Sequence, residues 1–345
     1  MTNRWMNSLK IGFTYIGTVV GAGFASGQEI LQFFSLFGWW GTIGIMVSTV
    51  LFIWLGTRMM LMGHLLQAKS YEEVNHYLFG ERIGHWVSIF VGITLFGVTT
   101  AMMAGTGALF EEQIGLSFHV GVIGTAVLAY MVIIRGMEGI LSINALVVPL
   151  MLLFMLLIGI HSWQTRDFSQ LAQLEPSNHT GNWLFSALTY VAFNLAMSQA
   201  VLVPLGAEIS DKITIRIGGW IGGVGLGLML LIGHIAMQLR LDQMISLDIP
   251  MALVIEVLGV GIKMFFLLVM WGEVFTTLIG NVYGLAANLE SAVPMGKKRL
   301  MALIFICAYA FSLLGFPTLV SYLYPLFGYC GMFIIALLIV RKLPA

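Results

Sequence analysis

The apolar stretch from Lys10 to Phe37 is long enough to cross a bilayer, yet its middle reads Gly17-Thr18-Val19-Val20-Gly21-Ala22-Gly23-Phe24-Ala25-Ser26-Gly27-Gln28-Glu29. Glycine loses the most backbone freedom on ordering, so Gly21, Gly23 and Gly27 make this the easiest place for the helix to unwind. In hydrocarbon, unwound backbone survives only against protein or a water-filled cavity. Its freed N–H and C=O groups are then ready-made ligands, and interrupted helices at mid-membrane build the binding sites of many secondary transporters.

The rest of the chain supports a membrane setting. Hydrophobic residues make up 59% of the sequence and charged residues 9%, against about 25% charged in ordinary soluble domains. That composition describes a polytopic protein whose main partner is the lipid bilayer. A net charge of zero gives no footing for nucleic acid. Cys307 and Cys330 both lie in apolar runs and read as packing residues. The histidines show no paired ligand spacing and fall in loops or at span ends, so no metal cluster is expected from them. No nucleophile with a base or metal set appears, which argues against an enzyme. No small-residue cleavage site follows the first apolar core, so the first span is expected to stay in the mature chain.

At about 20 residues per crossing, spans are expected near 10–35, 39–62, 84–110, 118–135, 139–161, 183–208, 216–239, 262–288, 299–315 and 317–340. Basic residues then sort by side. Arg4, Lys10, Arg58, Lys69, Arg82, Arg135, Lys212, Arg216, Lys297, Lys298, Arg299, Arg341 and Lys342 share one face, while Arg166, Arg240 and Lys263 fall opposite. The positive-inside rule makes both termini cytoplasmic. Pro250 to Leu258, behind Asp248, reads as a helix too short to span, a re-entrant or lid segment.

Split five and five, the spans give repeats of about 10–161 and 183–341, in which the sixth span should mirror the first. It carries polar residues at mid-depth, Asn194-Leu195-Ala196-Met197-Ser198-Gln199, followed by Pro204 and Gly206. A second break is expected there, because proline removes a backbone donor and paired interruptions mark transporter sites.

In the eighth span, Glu273, Thr276, Thr277, Gly280, Asn281 and Gly284 fall on one helical face. Small residues on one face can simply be a packing seam. That reading leaves Glu273 unexplained, since an intramembrane acid normally faces a cavity, an ion or a partner. Glu29 follows the first break closely, and either caps the outer half-helix through the helix dipole or shares a cavity with Glu273. In the second case a proton becomes a candidate coupling ion. Thr276 and Thr277 offer hard oxygen ligands of the kind Na⁺ takes, and carbonyls freed near Gly17 to Val20 would complete such a site.

The Gly17 to Glu29 segment resembles the opening signature of the YkvI-type membrane proteins, a bacterial group, and the resemblance extends over essentially the whole chain in length and span count. That group is similar in turn, more distantly, to the amino acid, polyamine and organocation transporter superfamily. The resemblance implies an all-α membrane protein of about ten transmembrane helices, a five-plus-five inverted repeat with broken helices 1 and 6, in a bacterial cytoplasmic membrane. In sodium-coupled proteins of that fold, a Gly-x-Gly break binds the substrate carboxylate through backbone N–H groups, and Gly21-Ala22-Gly23 matches it. Gly17 and Val20 match two sodium-binding carbonyls, and Thr276 with Thr277 matches the hydroxyl pair. Two departures stand out: Glu273 replaces a residue that is often small, and Phe24 replaces one that is often polar. The fifth span has no lysine, so the amine that replaces sodium in some proton-coupled relatives is absent.

The expectation is a cation-coupled symporter, Na⁺ favoured over H⁺, that alternates access by rocking spans 1, 2, 6 and 7 against spans 3, 4, 8 and 9. Its substrate, a small amino acid or amine, would meet Gly21, Ala22, Gly23, Phe24, Ala25 and Ser26 through its carboxylate. Its amine would meet Phe193, Asn194, Ala196 and Ser198 together with the acids. The ion-coupling set is Gly17, Val20, Glu29, Glu273, Thr276 and Thr277, and no further cofactor is implied. Met197 and the intramembrane acids motivate one rival, a divalent metal-ion transporter of the same fold. A receptor that binds without moving its ligand is another.

Overall fold

The computed structural model describes residues 2–165, 182–238, 241, 251, 259–313, 327–328 and 331–344. The expected short helix at Pro250 to Leu258, Met251 excepted, and residues 317–326 and 329–330 of the tenth span, Cys330 among them, lie outside the described residues.

Every regular element among the described residues is helical. The first crossing consists of α1 (Thr2–Val19), α2 (Ala22–Ser26) and α3 (Gln28–Phe33). The second is α4 (Trp39–Leu51), continued through a wide π-turn at Phe52–Gly56 into α5 (Thr57–Leu66). A surface helix, α6 (Tyr71–Phe79), precedes α7 (Glu81–Leu109), α8 (Phe118–Ile133) and α9 (Met137–Thr165). The second half holds α10 (Trp183–Glu208), α11 (Lys212–Gln238), α12 (Val260–Ala292), α13 (Lys297–Ser312) and α14 (Gly331–Val340).

Lipid tails are as apolar as leucine, so these helices associate by close packing rather than by the hydrophobic effect. Small residues provide it. Along α11, Gly218, Gly222 and Gly225 receive Ile11, Tyr15 and Ile16 of α1, and Gly12 of α1 receives Ile221 in return. The same reciprocity joins α5 to α10, where Gly63 lies on the Val203 carbonyl and Gly206 on the Met60 carbonyl. The π-turn has a cross-helix purpose, because the Tyr15 hydroxyl donates to the Phe52 carbonyl at 2.8 Å. Helix α10 sits at the centre, packed against α1, α4, α5 and α12 and buried over most of its length. Large apolar side chains such as Met46, Ile93, Ile123, Leu146 and Leu228 point outward, as a lipid-facing belt requires.

Three of the basic residues expected on one face make contacts between helices. Arg58 donates to the Leu338 carbonyl at 2.6 Å and also to the Arg341 carbonyl. Arg341 donates to the Leu78 carbonyl at 3.2 Å, and Arg4 pairs with Asp211 at 2.9 Å.

The sixth crossing differs from its expectation. Helix α10 runs unbroken from Trp183 to Glu208 with Pro204 inside it. Its polar side chains turn back on their own carbonyls: Asn194 Nδ2 donates to Tyr190 O at 2.9 Å and Gln199 Nε2 to Ala196 O at 2.8 Å. A polar run that satisfies itself locally needs no unwinding, and the proline costs only the hydrogen bonds around it.

Candidate functional site

The first crossing is interrupted twice. Helix α1 ends at Val19, and Gly21 is extended (φ −135°, ψ −167°) before α2 starts. The second interruption is Gly27 at φ +86°, the left-handed region that side chains rarely adopt. Phe24, Ala25 and Ser26 are buried in the short turn between, where Ser26 Oγ donates to Gly23 O at 3.1 Å. The turn begins at Ala22, so the backbone N–H groups of Ala22, Gly23 and Phe24 occupy the first turn of α2, where a helix has no acceptors of its own.

Helix α12 closes on the first interruption. Thr276 Oγ1 donates to Gly17 O at 3.0 Å and approaches Glu273 O at 3.0 Å, while Thr277 Oγ1 donates to Val20 O at 2.7 Å. Thr276 and Thr277 are buried, and Gly21 faces the Thr277 side chain. Two carbonyls and two hydroxyls thus meet where the first helix opens. Farther along the same face of α12, Gly280 and Gly284 receive Val201 and Ala200 of α10. The face is therefore a candidate site at one end and a packing seam at the other.

Two acids border this cluster. Glu29 lies in the first turn of α3, with its carboxyl folded back over Gly23; a Cβ there would stand 2.4 Å from Glu29 Oε1. Glu273, one turn before Thr276, is 3% exposed, and Glu29 is 6% exposed. The carboxyls are electrostatic neighbours. Neither has an ion-pair partner among the described residues, and one oxygen of each makes no hydrogen bond. Two ionised carboxylates cannot share an enclosed site without a proton, a metal ion or a substrate cation to balance them.

The residues expected to bind substrate from the sixth span are all buried along α10. Asn194 and Ser198 are buried and bonded to their own helix, Ser198 Oγ reaching Leu195 O at 3.4 Å, and Phe193 and Ala196 are buried on the same helix. From α10 it is Tyr190, one turn before Asn194, that stands beside Glu29, among the rings of Phe33, Phe34 and Phe52. A second residue missed by sequence reasoning is Asn144 of α9. Its Oδ1 presses on Gly17, 1.9 Å from where a Cβ would stand, and has no hydrogen-bond partner. Its Nδ2 donates to Ile140 O at 2.8 Å. The one available signal was a lone amide within an apolar span.

Glu72, His76 and His85 bring three ligand atoms within 4.8 Å of one another at the basic-residue-rich face. Glu72 and His76 stand one turn apart on α6, while His85 comes from α7, a pairing that sequence spacing does not reveal.

An all-helical architecture with six long apolar helices among the described residues, and a double break in the first crossing, defines a polytopic membrane protein of the five-plus-five inverted-repeat class, with about ten transmembrane helices. No family model matches the chain. It is 41% identical over 336 residues to the membrane protein YkvI of Bacillus subtilis (strain 168), covering 97% of this chain and 96% of that one. The chain belongs to the YkvI family. Among solved structures, it superposes on a Na⁺-coupled sialic acid symporter in a substrate-bound outward-open state. The TM-score is 0.71 at 14% identity, over 95% of this chain and 78% of that one. Mhp1, a nucleobase-cation-symport-1 family transporter in a closed conformation, gives a TM-score of 0.64 at 13% identity, over 87% and 70%. Likeness at such identity carries the fold.

Proposed function

We propose that this protein is a cation-coupled secondary transporter of a small amine-bearing molecule, working by alternating access, with Na⁺ as the coupling ion. One observation carries the reading: Thr276 and Thr277 meet the Gly17 and Val20 carbonyls at 3.0 and 2.7 Å. As the side chains stand, the two hydroxyls donate to the two carbonyls. With a hard cation present, the hydroxyls turn their lone pairs inward and all four oxygens become ligands.

The acids narrow the substrate. Where an amino acid carboxylate would meet the N–H groups of Gly21 to Ser26, the protein's own Glu29 carboxyl already covers Gly23. A cationic amine is therefore favoured over a carboxylate, with Glu29, Glu273 and the Tyr190 hydroxyl as its partners. The same unpaired acids support a second reading, proton coupling, in which one carboxyl carries the proton that Na⁺ would replace.

Thermal stability of detergent-purified protein, measured with amines, polyamines and amino acids in Na⁺ or K⁺ buffer, tests both. Ligand at 100 times Kd stabilises by about 2.7 kcal/mol. A Na⁺-dependent amine response that is lost in Thr276→Ala supports the first reading. A response indifferent to Na⁺ but lost in Glu273→Gln supports the second, and a response to divalent metals alone defeats both. Counterflow in liposomes separates a transporter from a receptor.

A further inference from the structure

We propose that Glu72, His76 and His85 form a binding site for a zinc-class divalent ion, one that ties the surface helix α6 to the end of α7. Two imidazoles and a carboxylate are the donor set that such borderline ions prefer over Mg²⁺ or Ca²⁺. Three protein ligands with one position open to water is a familiar zinc arrangement.

The geometry is nearly assembled. Tetrahedral coordination with bonds of about 2.0–2.1 Å places ligand atoms about 3.3 Å apart. Here Glu72 Oε1 lies 3.0 Å from His85 Nδ1 and 3.5 Å from His76 Nε2. Closing the site needs only the two imidazoles to draw together. His76 Nε2 supplies an independent pointer: it is shut off from solvent and makes no hydrogen bond. A buried nitrogen without a hydrogen bond is a cost that a metal ion would remove. The carboxylate is also held from behind, since Asn288 of α12 donates to Glu72 Oε2 at 3.3 Å. Such outer contacts orient metal ligands. His85 is 56% exposed and gives the ion a route in from water. Without an ion, Glu72 Oε1 hydrogen-bonds His85 and stands 3.5 Å from His76 Nε2, which makes no hydrogen bond.

The site is separate from the Thr276 and Glu273 cluster, so its test requires no assumption about transport. Untagged full-length protein is titrated with Co²⁺, whose visible ligand-field bands report four-coordinate nitrogen and oxygen ligation, and then competed with Zn²⁺. One equivalent of Co²⁺ should give tetrahedral bands that Zn²⁺ abolishes and Mg²⁺ leaves alone. His85→Ala, an exposed and therefore fold-neutral change, should weaken binding at least about tenfold. His85→Cys should retain Zn²⁺, and His64→Ala should leave binding unchanged. Equal affinity in His85→Ala, or folded protein that gives no Co²⁺ bands, overturns the proposal.

Discussion

At the residue scale, the candidate site depends on single oxygen atoms. Thr277→Ala removes one hydroxyl beside the Val20 carbonyl and leaves the backbone break intact. It should weaken Na⁺ binding by about tenfold or more, since about 1.4 kcal/mol suffices for that. The check is the Na⁺ concentration giving half of the thermal stabilisation; unchanged Na⁺ dependence would rule out the hydroxyl as a ligand. Gly23→Ala is a different probe. Its methyl would strike the end of the Glu29 side chain rather than backbone, so the fold should persist while the amine response disappears. A third residue lies outside the spans. The Thr214 hydroxyl first, then the Ile213 N–H and Arg4, hold the Asp211 carboxyl below its ordinary range. A depressed value means that the contribution is present above the unfolded value of about 3.9 and is lost as pH falls through the lower native one. Asp211→Asn should therefore lower the melting temperature slightly at pH 7 relative to wild type, and the difference should vanish in strong acid.

At the element scale, glycine in this chain does two separate jobs. On α11 it permits contact. A Cβ at Gly222 would stand 2.4 Å from Tyr15 Cδ1, and Tyr15 is pinned through its hydroxyl to the π-turn of the second crossing. Gly222→Ala should cost about 1–3 kcal/mol, read as a lower melting temperature without loss of cation selectivity. At Gly27, with its φ of +86°, glycine permits the second interruption itself. The break in the first crossing was legible in the sequence because backbone freedom is a local property. The supposed break in α10 was not, because Asn194 and Gln199 look the same in sequence whether they face a cavity or their own helix. Tyr190, Asn144 and the His76–His85 pair were hidden for a related reason. Each becomes distinctive only through a neighbour far away in the chain.

At the scale of the whole molecule, the oxygen cluster occupies a revealing seam. Gly17 and Val20 belong to the unit expected to rock, the first crossing with α4, α5, α10 and α11. Thr276 and Thr277 belong to the unit expected to stay still, α12 with α7, α8 and α13. An ion bridging α1 and α12 would bind the two units together, so its binding energy is available to bias which way the molecule opens. Hydrogen exchange can test this directly. Na⁺, compared with K⁺ at equal ionic strength, should slow exchange across residues 17–29 and in the middle of α12 together, and Thr276→Ala should abolish both effects. Slowing in only one of them would mean that the cation binds without joining the units. The sidedness of the transport cycle rests on a further expectation, that the basic face is cytoplasmic. In a chain with Cys307 and Cys330 replaced by alanine, a cysteine at exposed Lys69 should react with an impermeant thiol reagent only after cells are opened, and one at exposed Leu116 should react in intact cells. The reverse pattern would invert the protein in the membrane, placing the Glu72, His76 and His85 cluster outside the cell.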